Sequence, residues 1–266
     1  IDNTKPEIAE IVLNPGTWTN EDVDVVPAIY DESGITVSKY VYGTDNASQG
    51  IDFTGKFTVT ENNTYTIYAG NAAGNNNEET FQVDIIDRDK PLIENIKYTP
   101  DTWTNEDVEI GFTPYDGGGS GVAVSKYVYG ERDAGYFSLN GTVVESGKFD
   151  VSDNGTYTIY VEDRAGNKNA EVVEVGNVDK INPTKPEIYR TPDQDFFNDE
   201  YTIKIMPGAD NESSVAQTVY KMEGAVNSSW SEYTGEVTIS EEGTTAIRSK
   251  TIDKAGNESE TAETVI

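Results

Sequence analysis

The chain has 266 residues, with 48 acidic and 19 basic side chains, a formal charge of −29, and neither Cys nor His. That composition excludes thiol chemistry, imidazole acid–base catalysis and the usual zinc or iron sites, and leaves room for an oxygen-ligand site holding a hard cation. Strong acidity argues against nucleic acid and anionic membrane as partners, and no apolar run approaches the ~20 residues of a spanning helix.

The first unit opens at Lys5-Pro6. W-T-N-E-D-V at 18–23 then leads into a run where Val23 and Val25 alternate with Asp22 and Asp24, followed by S-K-Y-V-Y-G at 38–43 and A-G-N at 73–75. The same markers return in the same order at Lys90-Pro91, 103–108, 125–130 and 165–167, with Val108, Ile110 and Phe112 alternating against Glu109, Gly111 and Thr113. A third, more worn set runs through Lys185-Pro186, F-F-N-D-E-Y at 196–201, T-V-Y-K-M at 218–222 and A-G-N at 255–257, with Tyr201, Ile203 and Ile205 against Thr202 and Lys204. Four markers at a period of about 90 residues define three tandem domains, 1–88, 89–182 and 183–266. That period is too long for a solenoid and suits small sandwiches that fold alone.

The apolar period inside each unit is two, the signature of antiparallel strands packed on one side. In the second unit, strands are expected near 91–98, 107–114, 122–129, 134–138, 147–152, 156–162 and 170–177. The fold class is therefore all-β, three tandem immunoglobulin-like β-sandwiches. A tyrosine corner is expected where Asp153, Gly155, Tyr157 and Ile159 precede and enter one strand, and again at Glu61, Tyr65 and Ile67. The third unit places Glu241, Gly243 and Ile247 in that frame, with Thr245 at the Tyr position. Tyr40, Tyr127 and Tyr220 stand where such domains bury an aromatic, expected to pack on the following Ile in place of a disulfide.

The run G-T-Y-T-I-Y-V-E-D-R-A-G-N, the W-T-N-E-D-V segments, the D-x-S-G turn at 31–34 and the D-K-P linkers resemble the bacterial Ig-like repeats of Gram-positive surface proteins. The resemblance covers all three units and is weakest in the third. It implies an extracellular setting at a bacterial cell surface or cell wall, in an adhesin, an S-layer protein or a multimodular secreted enzyme. The chain begins without Met or a signal peptide, and is read as an excised piece of a longer protein.

In an Ig-like sandwich the B–C and F–G loops share one end, and the incoming linker arrives there too. This should bring together Asp87 and Asp89 of the linker, Asp116 and Asp163 in the second domain, and Asp179, Asp210 and Asp253 in the third. The first domain offers Asp2, Asp31 and Asn71, one charge fewer. Calcium takes 6–8 oxygen ligands, and such acidic loops could supply part of that set and stiffen the junctions. The competing reading is that D-R-A-G-N is a plain hairpin turn, with Gly at positive φ.

Trp18 and Trp103 occupy one framework position and are expected to cap the sandwich, while Trp230 is unmatched and Tyr68 and Tyr160 should face outward. That is thin support for a carbohydrate-binding platform. No acidic residue stands apart from the repeat pattern, and the short loops leave little room for a cleft, so catalysis is not expected. A Lys–Asn isopeptide crosslink would be visible in the intact mass. The function expected is a non-catalytic stalk or spacer, monomeric as this fragment. Its partners would be the parent protein's other domains and a cell-wall or host glycan or protein, with no nucleic acid and no membrane insertion. The alternatives are a self-associating S-layer or surface-lattice unit and a carbohydrate-binding accessory module. The short Pro-bearing linkers D-R-D-K-P and D-K-I-N-P-T-K-P favour limited bending, more at the longer second one.

Overall fold

A computed structural model describes residues 2–195 and 200–266. Its strands follow the alternating runs. The first repeat contains β1 (Glu7–Asn14), β2 (Val23–Tyr30), β3 (Ile35–Tyr42), β4 (Ile51–Asp52), β5 (Phe57–Val59), β6 (Asn63–Asn71) and β7 (Asn76–Val83). The second contains β8 (Leu92–Thr99), β9 (Val108–Tyr115), β10 (Val122–Tyr129), β11 (Thr142–Val143), β12 (Lys148–Val151), β13 (Gly155–Asp163) and β14 (Lys168–Val175). The third contains β15 (Glu187–Thr191), β16 (Tyr201–Met206), β17 (Val215–Gly224), β18 (Ser231–Glu232), β19 (Val237–Ile239), β20 (Thr245–Asp253) and β21 (Ala262–Val265).

Each repeat forms one three-stranded and one four-stranded antiparallel sheet. Their orders are β1-β2-β5 with β4-β3-β6-β7, β12-β9-β8 with β11-β10-β13-β14, and β15-β16-β19 with β18-β17-β20-β21. This is the expected fold class, tandem Ig-like β-sandwiches. By contacts the chain divides into two compact units. One comprises Ile1–Asn95, Phe112–Gly147 and Thr158–Val172, and the other Ile96–Gly111, Lys148–Tyr157 and Val173–Ile266.

Alternation places the core. In the first repeat Val23 and Val25 from β2, Phe57 and Val59 from β5, and Tyr65, Ile67 and Ala69 from β6 are buried together. Tyr40 stacks on Phe57 at a centroid distance of 4.0 Å and lies opposite Ile67 across the sheet, as its frame predicts. In the third repeat Ile203, Ile205, Met222, Ile239 and Ile247 form the core, with Tyr220 packed at its margin. Both predicted tyrosine corners form: the hydroxyl of Tyr65 donates to the Glu61 carbonyl at 2.8 Å, and that of Tyr157 to the Asp153 carbonyl at 2.7 Å.

Three expectations need correction. Residues 134–138 hold no strand. Asp133 Oδ1 accepts the Tyr136 N–H and starts a 3-10 turn, Tyr136–Ser138, that lays Phe137 flat on Tyr160 at a centroid distance of 4.7 Å. Tyr160 is consequently fully buried and offers no outward platform, whereas in the first repeat the corresponding 3-10 turn, Ala47–Gln49, buries only the small Ala47, and Tyr68 remains partly exposed. In the third repeat the corner frame slips by two residues. β6, β13 and β20 are each nine residues long, which aligns Ile247 with Tyr65 and Tyr157, and Ser249 with Ile67 and Ile159. The register agrees, since Tyr220 lies opposite Ser249 as Tyr40 lies opposite Ile67. A two-residue slip preserves the inward face, so alternation alone cannot detect it. The expected marker F-F-N-D at 196–199 lies outside the described residues.

Candidate functional site

D-R-A-G-N is a hairpin turn and also one wall of an acidic cluster. The Asp163 N–H donates to the Asn167 carbonyl at 3.1 Å, and Gly166 returns the chain at φ +90°, a conformation that favours glycine. Asp163 caps the turn: its Oδ1 accepts the Asn167 N–H at 2.9 Å and its Oδ2 the Asn167 side-chain amide at 2.8 Å. The turn at Asp253–Asn257 repeats these bonds at 3.1, 2.8 and 2.8 Å.

Two triads result. In each of Asp87–Asp116–Asp163 and Asp179–Asp210–Asp253, one oxygen per carboxylate lies within 4.8 Å of the other two. The linker and hairpin members are buried and the middle one is partly buried. Among the described residues, no ion pair uses any of these six carboxylates. They are held by neutral donors. Asp116 accepts from the N–H groups of Gly118 and Gly121 and the Ser120 hydroxyl, and Asp87 from the N–H groups of Asp89 and Ser120. The Asp179 carboxyl is pushed up by burial, but hydrogen bonds from Ser213 and the Ile181 N–H outweigh that and hold it below its ordinary value. Asp89 stands outside the triad, its side chain exposed and its N–H turned to Asp87.

In the first repeat the corresponding carboxylate is replaced by the amide of Asn71. Its Nδ2 lies 3.2 Å from Asp2 Oδ2, 3.0 Å from Asp31 Oδ2 and 3.1 Å from the Thr4 carbonyl. A neutral donor thus stands among acceptors there, whereas the other two repeats place a third acceptor in that position. All-oxygen donors suit a hard cation, and three carboxylates are part of the 6–8 ligands calcium takes.

The linker aspartates do more than line the triads. The Asp87 N–H donates to the Thr19 carbonyl at 2.9 Å, and the Thr19 N–H donates to Ile85. On the other side Asp87 Oδ2 accepts the Ser120 N–H at 3.2 Å, and the Asp87 carbonyl accepts the Asn167 amide at 2.8 Å. One residue therefore ties the W-T-N-E-D loop of the first repeat to both loops of the second. Asp179 repeats every contact. Its N–H reaches the Thr104 carbonyl at 2.8 Å, its Oδ2 accepts from Ser213 at 3.0 Å, and its carbonyl accepts from Asn257 at 2.8 Å.

Sequence reasoning located the triads and missed this joint. W-T-N-E-D turns out to be its donor half. Trp18 does not simply cap its own sandwich, because its ring edge lies 3.6 Å from where a Cβ on Gly119 would sit. The Asn20 N–H donates to the Ala165 carbonyl at 3.1 Å, while Asn105 lies beside Gly256. The Asp of the motif pairs with the linker cation, Asp22 with Arg88 at 2.5 Å and Asp107 with Lys180 at 2.7 Å. The available signal was the joint recurrence of W-T-N-E-D and A-G-N.

No family model and no curated protein matches the chain. Among solved structures it is similar to the FN1–FN3 domains of chicken CNTN1, at 11% identity and a TM-score of 0.34, over 98% of this chain and 97% of that one. No helix among the described residues is long and apolar enough to cross a membrane.

Proposed function

We propose that the chain is a non-catalytic stalk or spacer segment of an extracellular bacterial surface protein. Its three domains, 1–88, 89–182 and 183–266, would be held by two like joints that calcium stiffens. The observation that carries this reading is the duplicated role of Asp87 and Asp179, each bonded to the preceding repeat through its N–H and to the following repeat through its carboxylate and carbonyl. A spacer needs its joints restrained, and this joint is built from backbone groups and short side chains that repeat with the domains. The Gram-positive setting rests on the sequence resemblance alone.

A cation between three carboxylates would offset their mutual repulsion and fix the linker against the two loops. Asp87, Asp116 and Asp163 would hold one ion, and Asp179, Asp210 and Asp253 a second. Asp89, exposed, would not be a direct ligand. Millimolar calcium should raise the melting temperature and sharpen the solution scattering profile relative to chelator, and Asp163→Asn with Asp253→Asn should abolish both responses. If the wild-type chain melts and scatters identically with calcium and with chelator, the calcium part of the reading fails. The spacer part is tested separately by sedimentation: a spacer stays monomeric at high concentration, whereas a surface-lattice unit associates and a sugar-binding module shifts on a glycan array.

A further inference from the structure

All three A-G-N hairpins are built alike, but only at Gly166 and Gly256 does an Asn of the preceding repeat, Asn20 or Asn105, lie beside the glycine, and among the described residues nothing lies beside Gly74. In the first repeat the Asn71 N–H donates to the Asn75 carbonyl at 3.0 Å, the Gly74 N–H to the Asn71 carbonyl at 3.2 Å, and the Ala72 N–H to the Gly34 carbonyl at 3.2 Å. These bonds match those of 163–167 and 253–257, where Arg164 reaches Gly121 and Lys254 reaches Ser214, each at 3.0 Å. The Asn75 side chain donates to the Asp2 carbonyl at 3.2 Å, as Asn167 does to Asp87 and Asn257 to Asp179. The sequence agrees, since I-D-N-T-K-P at 1–6 follows the pattern of I-D-R-D-K-P at 86–91. Asp2 therefore holds in the first repeat the position that Asp87 holds in the second. The difference lies in exposure. Ala165, which receives the Asn20 N–H, is 8% exposed, whereas Ala72, Ala73 and Gly74 are all exposed.

We infer that the Asn71–Asn75 hairpin, with Asp2, is a preformed acceptor surface for the Trp-Thr-Asn-Glu loop of another repeat of this type, joined head to tail. The occupant is fixed by the seats already filled: at 163–167 the Asn20 N–H rests on the Ala165 carbonyl and the Trp18 edge lies against Gly119 of the adjacent turn, and at 253–257 the Asn105 amide lies beside Gly256 as the Asn20 amide lies beside Gly166. Such a contact is heterologous, with different surfaces on the two partners, so it can be repeated along a chain without closing on itself. Few side chains take part, so docking depends on the high effective concentration that a short linker provides. The inference rests on the joint geometry and not on the cation, because Asn71 already supplies a donor to Asp2 and Asp31.

The test is the full chain extended by a copy of residues 89–177 placed ahead of Ile1, so that Ile1-Asp2 follows the copied Asn177 as Val178-Asp179 does in the chain. Hydrogen exchange of the segment 72–75, whose sequence stays unique, is then measured in chelator. Docking should slow that segment by about tenfold or more, towards the behaviour of 164–167, and Trp103→Ala within the added copy should reverse the change. An unchanged rate at 72–75, with the copied segments protected, overturns the proposal. If the added copy does not fold, seen as a second fast-exchanging population of its peptides, the decisive measurement becomes a titration. A peptide of residues 100–110 is added at millimolar concentration to the isotope-labelled full chain. Amide shifts confined to Asp2 and 72–75, lost with Trp103→Ala in the peptide, support the inference, and no shift there overturns it.

Discussion

Single residues set the chemistry of each acidic end, and Asn71 is the clearest case. Its buried amide lies within hydrogen-bonding distance of Asp2, Asp31 and the Thr4 carbonyl, and the Asp31 carboxyl is held below its ordinary value first by Ser33 and then by Asn71. Asn71→Asp replaces a donor with a third acceptor and should destabilise the first repeat by about 1–3 kcal/mol in chelator. Calcium should recover much of that loss, which thermal melts with and without the ion would measure. Tyr160 governs the alkaline limit. Burial first, then its 2.5 Å hydrogen bond to Glu162 and the charge of that residue, push its hydroxyl well above the ordinary value of 10. A group whose folded pKa is raised contributes stability that is fully present below the unfolded value and lost as pH rises. Denaturant midpoints should therefore hold up to about pH 10 and fall above it. Tyr160→Phe should flatten that fall.

Elements show where the period-two pattern suffices and where it fails. The long strands came out within a residue or two of expectation because each carries an alternating run bounded by turn residues. The segment 134–138 has aromatic residues but is interrupted by Gly135 and flanked by Gly130 and Gly141, and its Phe137 packs downward as a plug. Removing that ring opens a cavity over Tyr160, so Phe137→Ala should cost about 3–5 kcal/mol by denaturant unfolding. The alkaline transition of Tyr160 should move toward the ordinary phenol value in the same variant. Ser249 marks the opposite limit. It is fully buried where its two counterparts are isoleucine, and its hydroxyl donates to the Val219 carbonyl at 2.9 Å. An apolar-pattern search favours Ile247 over it, which is why the third corner frame slipped.

The charge belongs to the whole molecule. At −29 over 266 residues, self-repulsion opposes every compact arrangement, and screening relieves it. Melting temperature should rise with sodium chloride, and more steeply below about 0.1 M than above it. At matched ionic strength calcium should add a further increase that Asp163→Asn with Asp253→Asn removes, separating binding at the triads from simple screening.

Composition alone determined what the molecule does not use, since a chain without Cys or His has no thiol and no imidazole to deploy. Repeats and alternation determined the all-β class, the three-fold recurrence and the residues facing each core, because burial selects residue type at every second position. Loop connectivity even placed Asp87, Asp116 and Asp163 at one end. Tertiary structure alone decided what the recurring W-T-N-E-D and A-G-N segments are for. Their contacts run largely through backbone N–H and carbonyl groups, as at Asn20 with Ala165 and Asp87 with Thr19, and every residue carries those groups regardless of its side chain. D-R-A-G-N is thus both the hairpin turn and the acidic wall, and the surface on which the neighbouring repeat rests.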